Sequence, residues 1–398
     1  MSFDQQNFVT NPNFKFREYP AEKRECLGTT YTYDVFKNPE GKTILVTPHF
    51  DINKQCNTEG DPSKDLEKYH YTSLIDLENN EEIQQLEGHK DRIVTCRFFE
   101  DPFTKKQYII SADRKYQVKV WDLSDKTAEK GKTIFDKAID QYDNFIYSVL
   151  MVFEKGKIYV ITSTLGNGET KVYTIGKEEM KMLKETKELN IYYLDYWFEK
   201  STTQEEQDEH HIIQCGKSNI LISQLNKDTN YSIKTDEQYA NNLCAMVFKK
   251  GDQDLLITSA TRGLIKVIDL KKRQEIYTKD YKDVFFYNFI RWNDQYILLY
   301  EAMQRRVLVL DAYNEYKIVS KVLCPEMYYD RFIRKVDHPK YGESILSVGI
   351  DWKVKLYTNR NIIKQEQSEE NQEEKKEEKQ EEKKEEEKKE EEKKEEGK

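Results

Sequence analysis

Histidine is the side chain that most readily ligates metals or transfers protons near neutral pH, and this chain has few of them. The six histidines are His49, His70, His89, His210, His211 and His338. None of them forms the H-E-x-x-H spacing that sets two imidazoles on one face of a helix, so no zinc motif is recognisable. The pair His210-His211 follows an acidic run at residues 204–209, and a metal contact there is one hypothesis. The alternative, which we favour, is a solvated loop leading into a strand at residues 212–213.

Other sequence signals of catalysis are also missing. There is no G-x-S-x-G motif, and Gly166-Asn167-Gly168 lacks the helix and the lysine that a phosphate-binding loop needs. A hairpin turn is the better interpretation of those glycines. The six cysteines are scattered without a C-x-x-C pair, which is typical of reduced thiols. We therefore predict that the chain is not an enzyme and carries no cofactor and no metal.

Short strands are the elements that must position any site. Residues 87–122 contain two alternating apolar runs, opened by Gly88-His89 and closed by Trp121-Asp122. Alternation with a period of two predicts half-buried antiparallel strands. Counting this unit, seven units close with an apolar residue followed by a small polar one, and these polar residues are Asp76, Asp122, Thr174, Ser223, Asp269, Asp311 and Thr358. Each unit also has an entering strand with an apolar or aromatic end, at Phe36, Phe98, Phe153, Phe198, Phe248, Trp292 and Val336.

The unit at residues 87–122 resembles one repeat of the WD-repeat β-propeller family, with its G-H opening and W-D close. The resemblance implies an all-β fold, a seven-bladed propeller over residues 13–363. It also implies a hydrogen-bonded network that stiffens one blade, formed by His89, Ser111, Asp113 and Trp121. The other six units have Ile, Leu or Tyr where the family usually has Trp.

Closing such a ring requires a partner for the outer edge of the seventh blade, since exposed strand edges promote aggregation. Residues 13–19 alternate and precede the first repeat, so they are one candidate for this outer strand. Residues 361–364 are the other. We favour the N-terminal segment, which leaves residues 1–12 as a flexible N-terminus.

The C-terminal segment, residues 364–398, is a low-complexity tail rich in Lys and Glu. Its 17 Glu and 11 Lys give it a net charge of −6, so residues 1–363 account for only −3 of the total of −9. We expect a single solvated helix or a disordered segment there, and the composition favours neither. The near-neutral remainder gives no reason to expect nucleic-acid binding. With no signal peptide and no membrane span apparent, we expect a cytoplasmic protein, with a nuclear, cytoskeletal or ciliary location as alternatives.

In the WD-repeat family, the loop into each entering strand and the loop between the second and third strands share one face of the disc. We call it the loop-bearing face. Six residues before each strand end lie Arg92, Tyr147, Tyr192, Asn242, Phe286 and Asp330, and the second set of loops contains Arg114, Arg262, Arg305 and Trp352. Arg and aromatic residues are enriched among binding hot spots. These ten residues are the predicted partner-binding positions, although each aromatic residue could instead cap its own blade.

The function that these features favour is a non-enzymatic scaffold that binds other proteins on the loop-bearing face, as part of a multiprotein complex. An alternative is a substrate receptor or regulatory subunit of a larger enzyme, such as a ubiquitin ligase. The W-D-x-R feature of many such receptors is missing, because Leu123-Ser124 follows Trp121-Asp122. A third hypothesis is an enzyme that uses residues brought together around the central channel.

Overall fold

The architecture was obtained as a computed structural model. It describes residues 8–12, 14, 33–50, 70–124, 132–138, 146–154, 156–164, 169–175, 181–187, 193–199, 209–216, 219–225, 227, 229–234, 242–260, 263–282, 284–301, 303–324, 332–348 and 354–364. The tail beyond residue 364, for which a helix or disorder was predicted, lies outside this range.

The described residues form seven four-stranded antiparallel sheets, the blades of a β-propeller. Blade 1 contains β2 (Asp34–Lys37), β3 (Thr43–Phe50), β4 (His70–Asp76) and β5 (Glu81–Glu87). Blade 2 contains β6 (Ile93–Glu100), β7 (Gln107–Asp113), β8 (Gln117–Asp122) and β9 (Lys132–Ala138). Blade 3 contains β10 (Ile146–Glu154), β11 (Lys157–Thr164), β12 (Glu169–Ile175) and β13 (Lys181–Lys187). Blade 4 contains β14 (Tyr193–Glu199), β15 (Glu209–Cys215), β16 (Asn219–Gln224) and β17 (Asn230–Lys234).

The remaining three blades follow the same order. Blade 5 contains β18 (Asn242–Lys250), β19 (Gln253–Ala260), β20 (Leu264–Asp269) and β21 (Gln274–Asp280). Blade 6 contains β22 (Phe286–Arg291), β23 (Tyr296–Glu301), β24 (Arg306–Asp311) and β25 (Lys317–Leu323). Blade 7 contains β26 (Phe332–His338), β27 (Gly342–Val348), β28 (Val354–Asn359) and β1 (Phe8–Thr10). Residues 360–364 form one helical turn after β28.

The seven predicted units are confirmed as the seven blades. Every predicted closing step lies in the third strand of its blade, and the aromatic or apolar ends lie in or directly after the first strands. In five blades the register between the third and fourth strands shifts at the residue that occupies the family's Trp position, namely Ile75, Trp121, Tyr173, Ile268 and Leu310. This shared β-bulge shows that the units are equivalent in structure although most of them lack the Trp.

The core lies between neighbouring blades. The middle strands are apolar on both faces, and β7 is buried along its whole length. One cluster, between blades 1 and 2, joins Ile44 and Leu74 to Cys96, Ile109 and Trp121. Each blade therefore buries its two faces only when it has a neighbour on both sides.

The ring is closed by the N-terminus, as predicted, but by a different segment. Strand β1, Phe8–Thr10, pairs antiparallel with β28, from Phe8 opposite Asn359 to Thr10 opposite Tyr357. The prediction of an outer strand within residues 13–19 was therefore wrong, and Phe8–Thr10 are not part of a flexible segment as predicted for residues 1–12. Residues 1–7 of that predicted segment lie outside the described residues. The competing prediction for residues 361–364 was also wrong, since they belong to the helical turn. A β-strand needs only three paired residues here, and a three-residue run is too short to show alternation in a sequence.

Side-chain packing fastens this closing strand to the neighbouring blade. The ring of Phe8 meets Trp292 of blade 6 edge-on, with centroids 5.6 Å apart. On the other side of blade 7, the Tyr33 hydroxyl donates to the Leu346 carbonyl oxygen at 3.1 Å, and Lys37 pairs with Asp337 at 2.6 Å. Blade 7 is therefore joined to both of its neighbours. Among the described residues, no helix is both long and apolar enough to cross a bilayer.

Deletion of residues 1–10 should lower the free energy of unfolding by about 3 kcal/mol or more, because it removes the β1–β28 hydrogen bonds and the burial of Phe8. The exposed edge of β28 should also promote aggregation. Urea unfolding followed by tryptophan fluorescence measures the first effect, and light scattering the second. Deletion of residues 1–7 keeps β1 and is the matched control. Equal stability of the two deletions would contradict closure by β1.

Candidate partner-binding face

A chain of hydrogen bonds fixes the loops of blade 2 on the loop-bearing face. His89 Nδ1 lies 3.1 Å from Asp113 Oδ2, and its Nε2 lies 2.7 Å from Ser111 Oγ. Trp121 Nε1 donates to the same Ser111 oxygen at 3.0 Å. All four side chains are fully buried or nearly so. Because an ionised carboxylate only accepts, His89 Nδ1 donates to Asp113, and Nε2 is left to accept from the Ser111 hydroxyl.

This network holds two loops together. His89 belongs to the loop that enters β6, whereas Asp113 ends β7 and begins the loop to β8. Asp113 Oδ1 also accepts the backbone N–H groups of Lys115 and Gln117, both at 2.9 Å, which shapes the turn between those strands. Buried, paired polar groups of this kind fix one geometry, because any rearrangement leaves a donor without an acceptor. The four residues are those for which the blade-stiffening network was predicted.

Arg92 and Arg114 are brought together by these two loops. The backbone N–H of Arg114 donates to the carbonyl oxygen of Arg92 at 3.0 Å. Arg92 is half-buried and Arg114 is exposed. Asp91, next to Arg92 in the chain, has the opposite charge, and its Oδ2 lies 3.9 Å from Lys115 Nζ. The result is a predominantly positive patch at the end of blade 2, with the half-buried Tyr147 at the same end of blade 3.

A second patch lies at the same end of blade 6. Arg305 adopts a left-handed backbone conformation (φ 50°), and its carbonyl oxygen accepts the N–H of Cys324 at 2.9 Å. Two large apolar side chains flank it, Met303 and Leu323, each 69% exposed. Sequence analysis identified Arg305 but missed both of them. Single exposed apolar residues are common in sequences. Only the structure shows that Met303, in the loop between β23 and β24, and Leu323, at the end of β25, lie near Arg305.

Phe286 is a correction to the predicted face, because its side chain is fully buried. Its ring meets Tyr281 edge-on at a centroid distance of 5.8 Å, inside the core between blades 5 and 6. The pairing of β22 with β23 shifts between Phe286 and Asn288, so the intervening Tyr287 is the half-buried residue at this position. A β-bulge changes which side chains face outward by one residue, and counting a fixed number of positions back from a strand end cannot detect it.

The side chains at the remaining predicted positions are not among those that the structure describes. Asn242 begins β18, where only its backbone is described. Tyr192, Arg262, Asp330 and Trp352 lie outside the described residues. Their assignment to the face stays a prediction.

Charged side chains near the central channel form hydrogen bonds between the first strands of neighbouring blades. Asp34 accepts the backbone N–H of Phe98 in blade 2 at 3.0 Å and the guanidinium of Arg334 in blade 7 at 3.2 Å. Asp195 accepts the N–H of Val247 in the next blade at 2.9 Å. Burial raises the pKa of Asp195, and burial together with the charge of Asp195 raises that of Tyr193 to about 12. Both carboxylates thus serve as acceptors for the otherwise unpaired inner edges of the blades.

His210 and His211 differ from their prediction as a solvated loop. Both are in β15, where they are buried, with exposures of 8% and 4%. His210 Nδ1 lies 2.6 Å from the hydroxyl of Tyr196, and His211 stacks on Trp197. The acidic run before them suggested a loop, but β15 already begins at Glu209 and includes both histidines.

Comparison with known proteins adds to the fold but not to the site. No family model matches the chain, and no curated protein matches its sequence. Its structure is similar to the crystal structure of the computationally designed Ika8 protein, at 13% sequence identity and a TM-score of 0.50. The match covers 72% of this chain and 77% of the designed one. The likeness concerns the fold alone.

Replacement of Asp113 by Ala should destabilise the protein by about 2–4 kcal/mol, because His89 Nδ1 and two backbone N–H groups lose their acceptor. Asp122→Ala is the matched control, since Asp122 accepts a single exposed N–H from Ser124. We expect that variant to lose less than about 1 kcal/mol. Urea unfolding curves of both variants provide the measurement. A similar loss in each would mean that the network does not stiffen blade 2.

Proposed function

We propose that this chain is a WD-repeat protein that acts as a non-enzymatic scaffold and binds other proteins on the loop-bearing face. The observation that carries the proposal is the pair of exposed patches at one end of the disc. One is formed by Arg92 and Arg114 beside Tyr147, and the other by Met303 and Leu323 beside Arg305. Arginine, methionine and aromatic residues are enriched in interfaces, and apolar side chains exposed together are typical of them.

The arrangement of the patches supports a partner that spans the disc. Blades 2 and 6 are separated by two blades in one direction around the ring and by three in the other, so a ligand touching both patches crosses the mouth of the channel. The blade 2 patch is positively charged, which favours an acidic segment of the partner there. The blade 6 patch favours an apolar side chain. A partner with an acidic segment and a separate apolar anchor fits both.

The channel carboxylates support the non-enzymatic part of the proposal. Asp34 and Asp195 each accept backbone N–H groups from two blades, so they are engaged in holding the ring rather than presented to a substrate. The cysteines support a cytoplasmic location. Cys215 and Cys244 are buried free thiols, as expected where thiols stay reduced.

Two double variants test the binding face, Arg92→Glu with Tyr147→Ala, and Met303→Asp with Leu323→Asp. Partners captured from cells by proximity labelling and pull-down with wild type should be lost or reduced about tenfold or more with each, since hot-spot residues contribute about 2 kcal/mol or more.

The matched control changes an exposed apolar residue on the opposite face. Phe103, 64% exposed, lies in the hairpin between β6 and β7, and Phe103→Asp should leave the captured partners unchanged. Partners retained by both double variants, or lost only with Phe103→Asp, would refute the proposed face.

A further inference from the structure

Three ligand-type side chains converge at the open end of blade 4, on the face opposite the predicted partner-binding face. Glu199 ends β14 and Glu209 begins β15, and the two are directly opposite each other in the register. His211 lies two residues further along β15, on the same side of the sheet as Glu209. One oxygen or nitrogen atom from each of the three residues lies within 4.8 Å of the others.

The distances from the His211 imidazole to the two carboxylates match those between ligand atoms of one metal ion. His211 Nε2 is 3.6 Å from Glu199 Oε2 and 3.4 Å from Glu209 Oε2. Both separations are too long for a good hydrogen bond. Two ligands bound to Zn²⁺ at about 2.1 Å with a tetrahedral angle lie about 3.4 Å apart. The observed spacing therefore needs little adjustment to hold such an ion.

The imidazole of His211 is the second and independent observation. Its side chain is 4% exposed, and neither ring nitrogen has a hydrogen-bond partner among the described residues. Stacking on Trp197, at a centroid distance of 4.4 Å and an interplanar angle of 21°, fixes the plane of the ring. A buried polar group normally has a partner, because leaving it without one costs about 1–3 kcal/mol.

Other histidines in comparable positions are satisfied. His338 ends β26, the first strand of blade 7, and also lies beside a hairpin on the opposite face. Its Nε2 lies 3.3 Å from the Leu77 carbonyl oxygen, and its Nδ1 accepts the N–H of Lys340 at 3.2 Å. His210, adjacent to His211, is paired with Tyr196. His211 differs from these two histidines in that neither of its nitrogens is hydrogen-bonded among the described residues.

One of the two carboxylates of the cluster has a cationic partner. Lys227 Nζ pairs with Glu209 Oε1 at 2.9 Å, which neutralises one carboxylate while leaving Oε2 directed toward His211.

We propose that Glu199, Glu209 and His211 form a binding site for a divalent first-row transition ion, with Zn²⁺ as the preferred one. Imidazole nitrogen with two carboxylate oxygens is a donor set for Zn²⁺ and its neighbours, whereas Mg²⁺ and Ca²⁺ prefer oxygen ligands alone. Three protein ligands leave a fourth position for water or for a carboxylate of a bound partner. The ion joins the ends of β14 and β15 and so clamps this hairpin.

The test is metal titration of the full-length chain without an affinity tag. Zn²⁺ binding is measured by competition with a chromophoric chelator, and Co²⁺ by its visible absorption and by quenching of the fluorescence of Trp197, which stacks on the ligand His211. We expect one saturable site for either ion and an increase in the melting temperature on binding. A tenfold excess of Mg²⁺ or Ca²⁺ over Zn²⁺ should not displace it. Displacement at that excess, or no saturable site, would overturn the proposal.

Isosteric variants locate the site and separate it from the acidic tail, whose glutamates also attract cations. Glu199→Gln and His211→Gln should each weaken Zn²⁺ binding about tenfold or more, and should abolish the tryptophan quenching by Co²⁺. Glu343→Gln is the matched control, because Glu343 is a carboxylate at the equivalent hairpin of blade 7, paired with Lys335. Circular dichroism confirms that each variant is folded. Unchanged affinity in Glu199→Gln, which keeps the shape of the side chain, would place the ion elsewhere and refute the proposed site.

Discussion

Burial of both faces of every blade is the constraint on which this structure depends. A four-stranded sheet with apolar residues on both faces is insoluble alone, and a stack of such sheets leaves two exposed faces unless it closes. Here closure requires three residues from the opposite end of the chain, Phe8–Thr10, paired with β28. The ring is then held by interactions that cross between blades 7 and 1, such as the hydrogen bond from Tyr33 to Leu346. Loops at both ends of the disc are positioned by this closed ring.

Much of the fold was predictable from the sequence because blades repeat. Seven closing steps and seven entering strands could be aligned, and alignment of equivalent positions compensates for weak signals in single strands. Two kinds of detail were not predictable. A strand as short as Phe8–Thr10 has no periodicity, and β-bulges, such as the one between Phe286 and Asn288, shift the outward-facing residue by one position. The candidate face as a set of loops stays a prediction, and Phe286 was assigned to it wrongly because its side chain is fully buried.

Blade 2 is stabilised in a different way from its neighbours. Its network of His89, Ser111, Asp113 and Trp121 depends on directional hydrogen bonds in a fully buried setting. At the position of Trp121, blades 1, 5 and 6 have Ile75, Ile268 and Leu310, whose side chains are buried to the same extent but are apolar and form no hydrogen bonds. Apolar burial gives stability without fixing one loop geometry, whereas a polar network fixes the loops that it joins. The best-defined part of the loop-bearing face therefore lies on blade 2, where Arg92 and Arg114 are joined through their backbones.

Polar side chains near two hairpins of the opposite face, in blades 2 and 7, form hydrogen bonds with neighbouring groups of the protein. In blade 2, Asp101 accepts the N–H of Phe103 and the hydroxyl of Thr104, so the carboxylate is used to shape its own turn. In blade 7, both nitrogens of His338 are hydrogen-bonded to the backbone. Blade 4 departs from this rule, because two carboxylates and the imidazole of His211 approach one another without a hydrogen bond between them. In the described part of the chain neither nitrogen of His211 has a hydrogen-bond partner, and a cation bound by His211 and the two carboxylates would supply one.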